Sequence, residues 1–512
     1  MQQMRPFSIT APGFAGLNTK DAPVDMDGRF ALDASNCVID KFGRVGSRKG
    51  WTLANTTNAD LGSAKIQAIG ELVQGNGTLT VIAAGNNKIF KLSDTTLVTL
   101  TYGGGGAAPT ITANNWQMVV LNSVIILFQV GHDPLIYDPV VSTTQYKRLS
   151  EVAGYTGTVP LANCAISAFG RIWVAGTATD KNTVTWSDTL TYNKWTAGTS
   201  GTLNLHGVWP QGGDTVVALG QHNGNLIIFG TKQILIYSGA TNPATMALTD
   251  SISSTGCAGR DTVVNTAEDL IFLSPTGVRT LERTIQEKSA PLDNISRNVN
   301  DDIIGYIVNE ADDSTIKAVY SPIDSFYLLT FIRSSVTYCF DTRSTLPDGS
   351  ARVTVWTLVP NAYHYSLSKN LYLGVPSGVS KYNGYYDNGV TYRMTYFSSW
   401  IDFGDPMRKS ILKKIEMSLF GVTGQGVVYK WGFDYVAEVD SQSEILEARS
   451  QTSEYNIAEY GIGEYTGGTI IQSLTMNASG SGKVIQVGIE VQLQGFPISV
   501  QRVDIYTKDG RY

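Results

Sequence analysis

Residues able to do chemistry are sparse in this 512-residue chain and scattered along it. His132, His206, His222 and His364 have no second histidine or carboxylate at the spacing of a metal-ligand set, so they read as loop or surface residues. Cys37, Cys164, Cys257 and Cys339 form no C-x-x-C pair, and buried thiols suit them better than a metal site. Carboxylates neighbour one another at Asp301-Asp302, at Asp312-Asp313, and at Glu438 and Asp440 around Val439. Glycoside hydrolysis needs two carboxyls about 5–10 Å apart across a cleft, and neighbours in a solvated turn do not supply that. Walker A, HExxH, G-x-S-x-G and dinucleotide-type glycine patterns are absent in usable context. The reading is a chain with no catalytic, cofactor-binding or metal-binding set.

Two groupings point to contacts instead. Arg44, Arg48 and Lys49 stand close to Trp51, and three cations in an acidic whole suit protein docking better than nucleic-acid binding. Tyr455, Tyr460 and Tyr465 recur at every fifth position, each after a glutamate (Glu454, Glu459, Glu464). That period fits neither helix nor strand. It reads as a tip loop using tyrosine as rigid amphipathic contact area, with the glutamates favouring protein or glycan over phosphate. Ser187-Asp188 ahead of Trp195 is similar to the Asp-box turn of sialidase-type propellers. The glycine expected inside that turn is missing and the element does not recur, so blade-turn structure is its reading.

The elements that must position these residues repeat roughly every 50 residues. Apolar runs beginning near Thr78, Ser123, Arg171, Asn225, Asp269, Ser325 and Asn370 are each followed by a turn and a second short run. Continuous runs such as VIILF imply strands buried on both faces. With 52 glycines and only 16% charged residues, the composition favours strands and tight turns. The expected fold is all-β: an irregular β-propeller of about seven to eight blades over 61–403. An extended N-terminal arm (1–60) precedes it, and a C-terminal β domain (404–512) with the Tyr-rich tip loop follows. Leu292, Ile295, Val299 and Ile303 fall at helical spacing, with Asp293 and Asn294 as candidate caps, predicting a helical insertion near 293–309. Ring closure could use the N-terminal arm or an eighth irregular sheet.

The net charge of −6 argues against a protein that holds nucleic acid by neutralising phosphates. No apolar run approaches the roughly 20 residues of a membrane span, and the N-terminus lacks the apolar core of a secretory leader. A soluble product made in a cytoplasm is expected.

The stretch GLNTKDAPVDMDGRFALDASNCVIDKFGRVGSRKGW (16–51) resembles the opening of tail tubular and nozzle proteins of short-tailed bacteriophages. The matching positions are Gly16, Leu17, Asn18, Pro23, Asn36, Gly43, Arg48 and Gly50. Residues 171–195 and 394–421 carry the likeness further. The resemblance implies a homo-hexameric ring of propellers in the virion tail, mounted under portal-adaptor ring proteins, associated with tail fibres and conducting the genomic DNA. It marks Gly16, Leu17, Asn18, Arg44, Arg48 and Trp51 as adaptor- or subunit-docking residues. Tyr455, Tyr460 and Tyr465 become tip contacts toward the host surface. Six copies would carry a formal charge of −36, so DNA, with one charge per roughly 1.7 Å, would slide past an acidic and uncharged-polar lumen. A glycan- or host-binding propeller is the alternative, and a carbohydrate-active enzyme a third.

Overall fold

The computed structural model describes residues 5–510 except 24, 267, 288–293, 311, 404–407, 423 and 447–469. Tyr455, Tyr460 and Tyr465 therefore lie outside the described residues, as does Asp293.

Each apolar run of the sequence repeat is a strand, and each pairs antiparallel with the run that follows it. Leu79–Gly85 pairs with Lys88–Ser93, Val124–Phe128 with Leu135–Tyr137, Phe326–Phe331 with Val336–Thr345, and Leu371–Val375 with Gly378–Tyr382. An innermost strand precedes each hairpin, such as Ile66–Val73 or Gln117–Leu121. Two-residue turns close several of these hairpins: Asn86-Asn87, Asn122-Ser123, Phe169-Gly170 and Asn223-Gly224 all have positive φ at both positions. That is the turn geometry whose twist matches paired strands. All five residues of Val124–Phe128 and all six of Phe326–Phe331 are buried, because neighbouring sheets cover both faces.

Six separate sheets of three to five strands form blades spanning 66–99, 101–148, 162–204, 216–252, 264–280 and 362–382. The remaining place in the ring, between 264–280 and 362–382, is filled by the strands of 316–356, which are one end of a ten-stranded sheet. The expected seven to eight blades are thus corrected to six free-standing ones. The repeat around Ser325 has the hairpin signal of a blade, but its outer strand Ala351–Trp356 continues into further pairing with Gly16–Leu17 and Phe30–Ser35. Apolar cores fill the spaces between adjacent sheets, for example Leu72 and Ile82 against Ile125 and Leu127. The ring is closed where Ile66, Ile69 and Val81 meet Ala362, Tyr372 and Val379. Trp51–Leu53 forms the outer strand of that last blade by pairing with Gly378–Tyr382, so the N-terminal segment closes the ring.

The rest of the chain forms two sheets facing each other across a shared core that includes Ile415, Leu419, Val427, Tyr429, Ile489, Val491 and Ile505. One is a seven-stranded sheet built on Ser410–Gly421 and Ser499–Asp509, with Arg5–Thr10 and Val45–Ser47 added to the latter. The other is the far part of the ten-stranded sheet, through Phe30–Ser35, Tyr392–Ser398, Ile485–Leu493, Gly426–Phe433 and Val436–Ile445. Residues 5–53, read from sequence as an arm, are therefore woven into this chain's own sheets. Tyr392–Ser398, within the expected 61–403 propeller, belongs to the sandwich. The helical segment is a short 3-10 turn at Arg297–Val299 followed by a helix at Asn300–Asn309, and a second helix spans Leu281–Glu287. Asn294 does not cap the helix; its Nδ2 donates to the Thr276 carbonyl and to Asn300 Oδ1, both at 2.9 Å.

The tightest joint is at Gly50, where an added Cβ would stand 1.9 Å from the Tyr386 carbonyl oxygen. Gly50→Ala is expected to lower stability by at least the ~1–3 kcal/mol of overpacking, read as a reduced urea midpoint. Gly105→Ala, where a Cβ meets nothing within 4 Å, should stay within about 0.5 kcal/mol of the parent.

Candidate functional site

Three of the residues that carry the sequence resemblance, Asn36, Arg48 and Gly50, meet at one buried seam. Asn36 adopts φ 55°, which turns the chain between the strands Phe30–Ser35 and Cys37–Ile39. Its Oδ1 accepts from Arg48 Nε at 2.8 Å, from the Thr357 amide at 3.0 Å and from Thr357 Oγ1 at 3.1 Å. Its Nδ2 donates to the Arg393 carbonyl at 2.7 Å. The Arg48 side chain is fully buried and grips Asp387 with two parallel bonds, Nη1 to Oδ1 at 2.9 Å and Nη2 to Oδ2 at 2.7 Å. The guanidinium lies 4.0 Å from the Tyr392 ring centroid, and the Tyr392 hydroxyl donates back to the Arg48 carbonyl. A guanidinium is suited to this place because its planar fork satisfies a carboxylate bidentately while its face stacks on an aromatic ring.

The other residues marked for docking divide by location. Gly16 has φ +84°, and an added Cβ would stand 2.6 Å from the Val353 carbonyl oxygen. Leu17 and Asn18 are buried, and Asn18 Nδ2 donates to Asp21 Oδ2 at 2.8 Å. Trp51 donates its amide to the Tyr386 carbonyl at 2.9 Å inside the ring-closing strand. Gly16, Leu17, Asn18 and Arg48, expected from sequence to dock a neighbour, are thus engaged within this chain. The physical reason is that a Gly/Pro-broken segment satisfies its backbone by edge pairing with its own sheets.

Arg44 lies elsewhere, at one end of the sandwich. Its Nε donates to Asp40 Oδ2 at 2.7 Å, and its guanidinium is 4.4 Å from the Phe42 ring and 4.6 Å from the Phe420 ring. Phe420 pairs with Ile471, and Phe42 and Ile471 are exposed.

A second constellation, not singled out in the sequence, closes the propeller axis. Arg260 and Asp261 occupy the turn Arg260–Thr262 leading to the innermost strand of the 264–280 blade. Asp261 accepts from Arg260 Nε at 2.8 Å and Nη2 at 3.1 Å, and from Lys317 Nζ at 2.5 Å. Arg260 Nη1 donates to the Asn163 carbonyl at 2.8 Å, and its Nη2 to the Asn115 carbonyl at 3.2 Å. Lys317 Nζ also donates to Asn115 Oδ1. Asn115, Asn163, Asp261 and Lys317 come from four different sheets of the ring, some not adjacent, and such sheets meet only across its axis. Burial works to raise the Asp261 pKa, but the charges of Arg260 and Lys317 override it and hold the carboxyl well below its usual range. Sequence reasoning had little to find here, since each residue is isolated within an ordinary strand or turn.

The remaining chemistry-bearing residues are tied up locally. Asp188 Oδ1 accepts from the Thr189 amide at 2.8 Å, the Thr199 amide at 2.9 Å and Thr199 Oγ1 at 2.8 Å, closing the blade turn. Ser187 Oγ accepts from the Ile172 amide at 3.1 Å. Ser366 donates to Glu71, while His364 Nε2 stands 3.9 Å from the same carboxylate, so the imidazole is not aligned on that hydroxyl. Asp302 accepts from Thr19 Oγ1 at 2.6 Å. The four cysteines are buried, and no metal-ligating cluster occurs among the described residues.

No family model matches the chain, and a search of the curated proteins gives no match. Among solved structures it is similar to the extracellular domain of a one component system of B. thetaiotaomicron. That likeness has 11% identity and a TM-score of 0.43, and covers 80% of this chain and 57% of the other. It is also similar to the Neurospora crassa Pan2 WD40 domain, at 10% identity and a TM-score of 0.39, over 66% of this chain and 96% of the other. Alignments this loose carry no argument, and the propeller stands on the ring of sheets itself.

Arg48→Ala strands Asp387 and Asn36 and should destabilise by about 3 kcal/mol in chemical denaturation. Asp261 has a folded pKa below its unfolded value of about 3.9, so its contribution is present above that pH and fades as pH falls through the folded pKa. Asp261→Asn should therefore lower stability at neutral pH and flatten the acid limb of the stability–pH curve.

Proposed function

We propose that this chain is a structural subunit of a short-tailed bacteriophage tail nozzle. It would assemble as a homo-hexameric ring under the portal adaptor, and the genome would pass along the ring's own axis. The observation that carries the reading is the coincidence of motif and seam. Gly16, Asn36, Arg48 and Gly50, through which the sequence resembles nozzle proteins, are each required by the joint between propeller and sandwich. A stiff two-part body with its ionisable groups engaged internally suits a wall under load better than a catalyst. The acidic net charge leaves few counterion-release contacts for a passing duplex.

A second reading, a binding protein for a glycan or host surface, is favoured by large apolar side chains exposed on the sandwich, Phe42, Ile445, Ile471 and Phe496.

Native mass measurement and electron imaging of the purified chain with its adaptor test the proposal. Six-fold rings are expected. A chain that stays monomeric at every concentration and in the presence of adaptor would overturn it, as would a lumen dominated by Lys and Arg rings.

A further inference from the structure

From the axial cluster we infer that Lys317 and Asn115 form an intramolecular isopeptide bond. Three groups needed for such a bond meet there: a primary amine, a carboxamide and a carboxylate. Lys317 Nζ contacts both Asn115 Oδ1 and, at 2.5 Å, Asp261 Oδ2. The hydrogen bond to Oδ1 holds the nitrogen against the carboxamide whose Cγ is the electrophile, the proximity that lets chemistry proceed without a substrate-binding step. Lys317 is 6% exposed and Arg260 4%, so bulk water competes poorly with the amine.

Two cations share the Asp261 carboxylate, and they differ in chemistry. Arg260 keeps its proton, whereas a buried lysine gives its proton up far more readily. Proton transfer from the Lys317 ammonium to Asp261 is uphill, because the two cations hold that carboxyl well below its usual range, so the step runs through a small, transient neutral-pair population and is slow. The freed lone pair on Nζ then bonds to Asn115 Cγ, and negative charge develops on Oδ1, while the Arg260 guanidinium holds the same residue in place through its main-chain carbonyl. The Cγ–Nδ2 bond breaks, and the departing nitrogen takes one of the former Nζ protons and leaves as ammonia. The proton held by Asp261 goes to that ammonia, which restores the carboxylate. An ammonium and a carboxamide become a secondary amide and an ammonium ion, and nothing is oxidised or reduced. The product leaves Asp261 paired with Arg260 through both of its carboxylate oxygens. It joins two sheets 202 residues apart in sequence, across the propeller axis.

The test is the intact mass of the full purified chain, followed by protease digestion and tandem mass spectrometry. The parent chain should be lighter than its calculated mass by one ammonia, with a branched peptide joining Asn115 to Lys317. Lys317→Arg and Asn115→Ala should both have their full calculated masses. A parent chain that keeps its full mass after prolonged incubation at neutral pH overturns the inference. So does an ammonia loss that maps to any other residue. The parent measurement decides the matter even if a variant fails to fold.

Discussion

The grip of Arg48 on Asp387 and Asn36 is the contact on which the two halves of this molecule depend. Asp387 follows the last blade, Asn36 lies between strands that reach both the ten-stranded and the seven-stranded sheet, and Arg393, which Asn36 also engages, begins the sandwich. A fully buried guanidinium can be tolerated only when its donors are satisfied, and here a carboxylate, a carboxamide oxygen and the Lys49 carbonyl meet them. An ion pair of this kind is weak evidence for net stability, but it fixes geometry strongly, because misplacing any partner leaves a buried charge exposed to a low dielectric. The seam therefore sets register between propeller and sandwich more than it adds binding energy.

The axial cluster plays the corresponding part for the ring. Each apolar core joins only neighbouring sheets, as expected of a repeat architecture. Arg260, Asp261 and Lys317 instead tie together sheets that are not neighbours, so opening at one boundary is resisted from across the centre. The propeller axis is occupied by these side chains, which leaves the outer faces of the body, and not its own central channel, as the surfaces that meet other molecules.

Much of the fold was legible because hairpin periodicity is a local signal. The runs at Ser123 and Ser325 specify strands buried on both faces whatever they pack against, and turn pairs such as Asn86-Asn87 announce their conformation. The joining of sheets was not legible in the same way. Nothing local in the 325–356 repeat says that Ala351–Trp356 will accept Gly16–Leu17 and Phe30–Ser35 as neighbours, so a blade was counted where the structure has the end of a larger sheet. The Gly- and Pro-rich opening read as an arm because its strands are as short as two or three residues and borrow their partners from the far end of the chain. From sequence Arg48 reads as an outward-facing charge beside Lys49 and Trp51. Its burial follows from Asp387, 339 positions away, a pairing that no sequence spacing could suggest. Among functional candidates, the blade-turn reading of Ser187-Asp188 rested on a missing glycine and matches the loop-closing hydrogen bonds of Asp188.

The pairing of Arg5–Thr10 with Ser499–Asp509 carries a consequence for how the molecule is made. Arg5–Thr10 must wait until Ser499–Asp509 has been made before its backbone finds these hydrogen-bond partners. The ring likewise waits for Gly378–Tyr382 before Trp51–Leu53 can seat. Such high contact order makes maturation slow and leaves unpaired edges open to neighbouring nascent chains. Intermediate blades can form as they emerge, since their contacts are local, but the finished body is reached in one late, cooperative step.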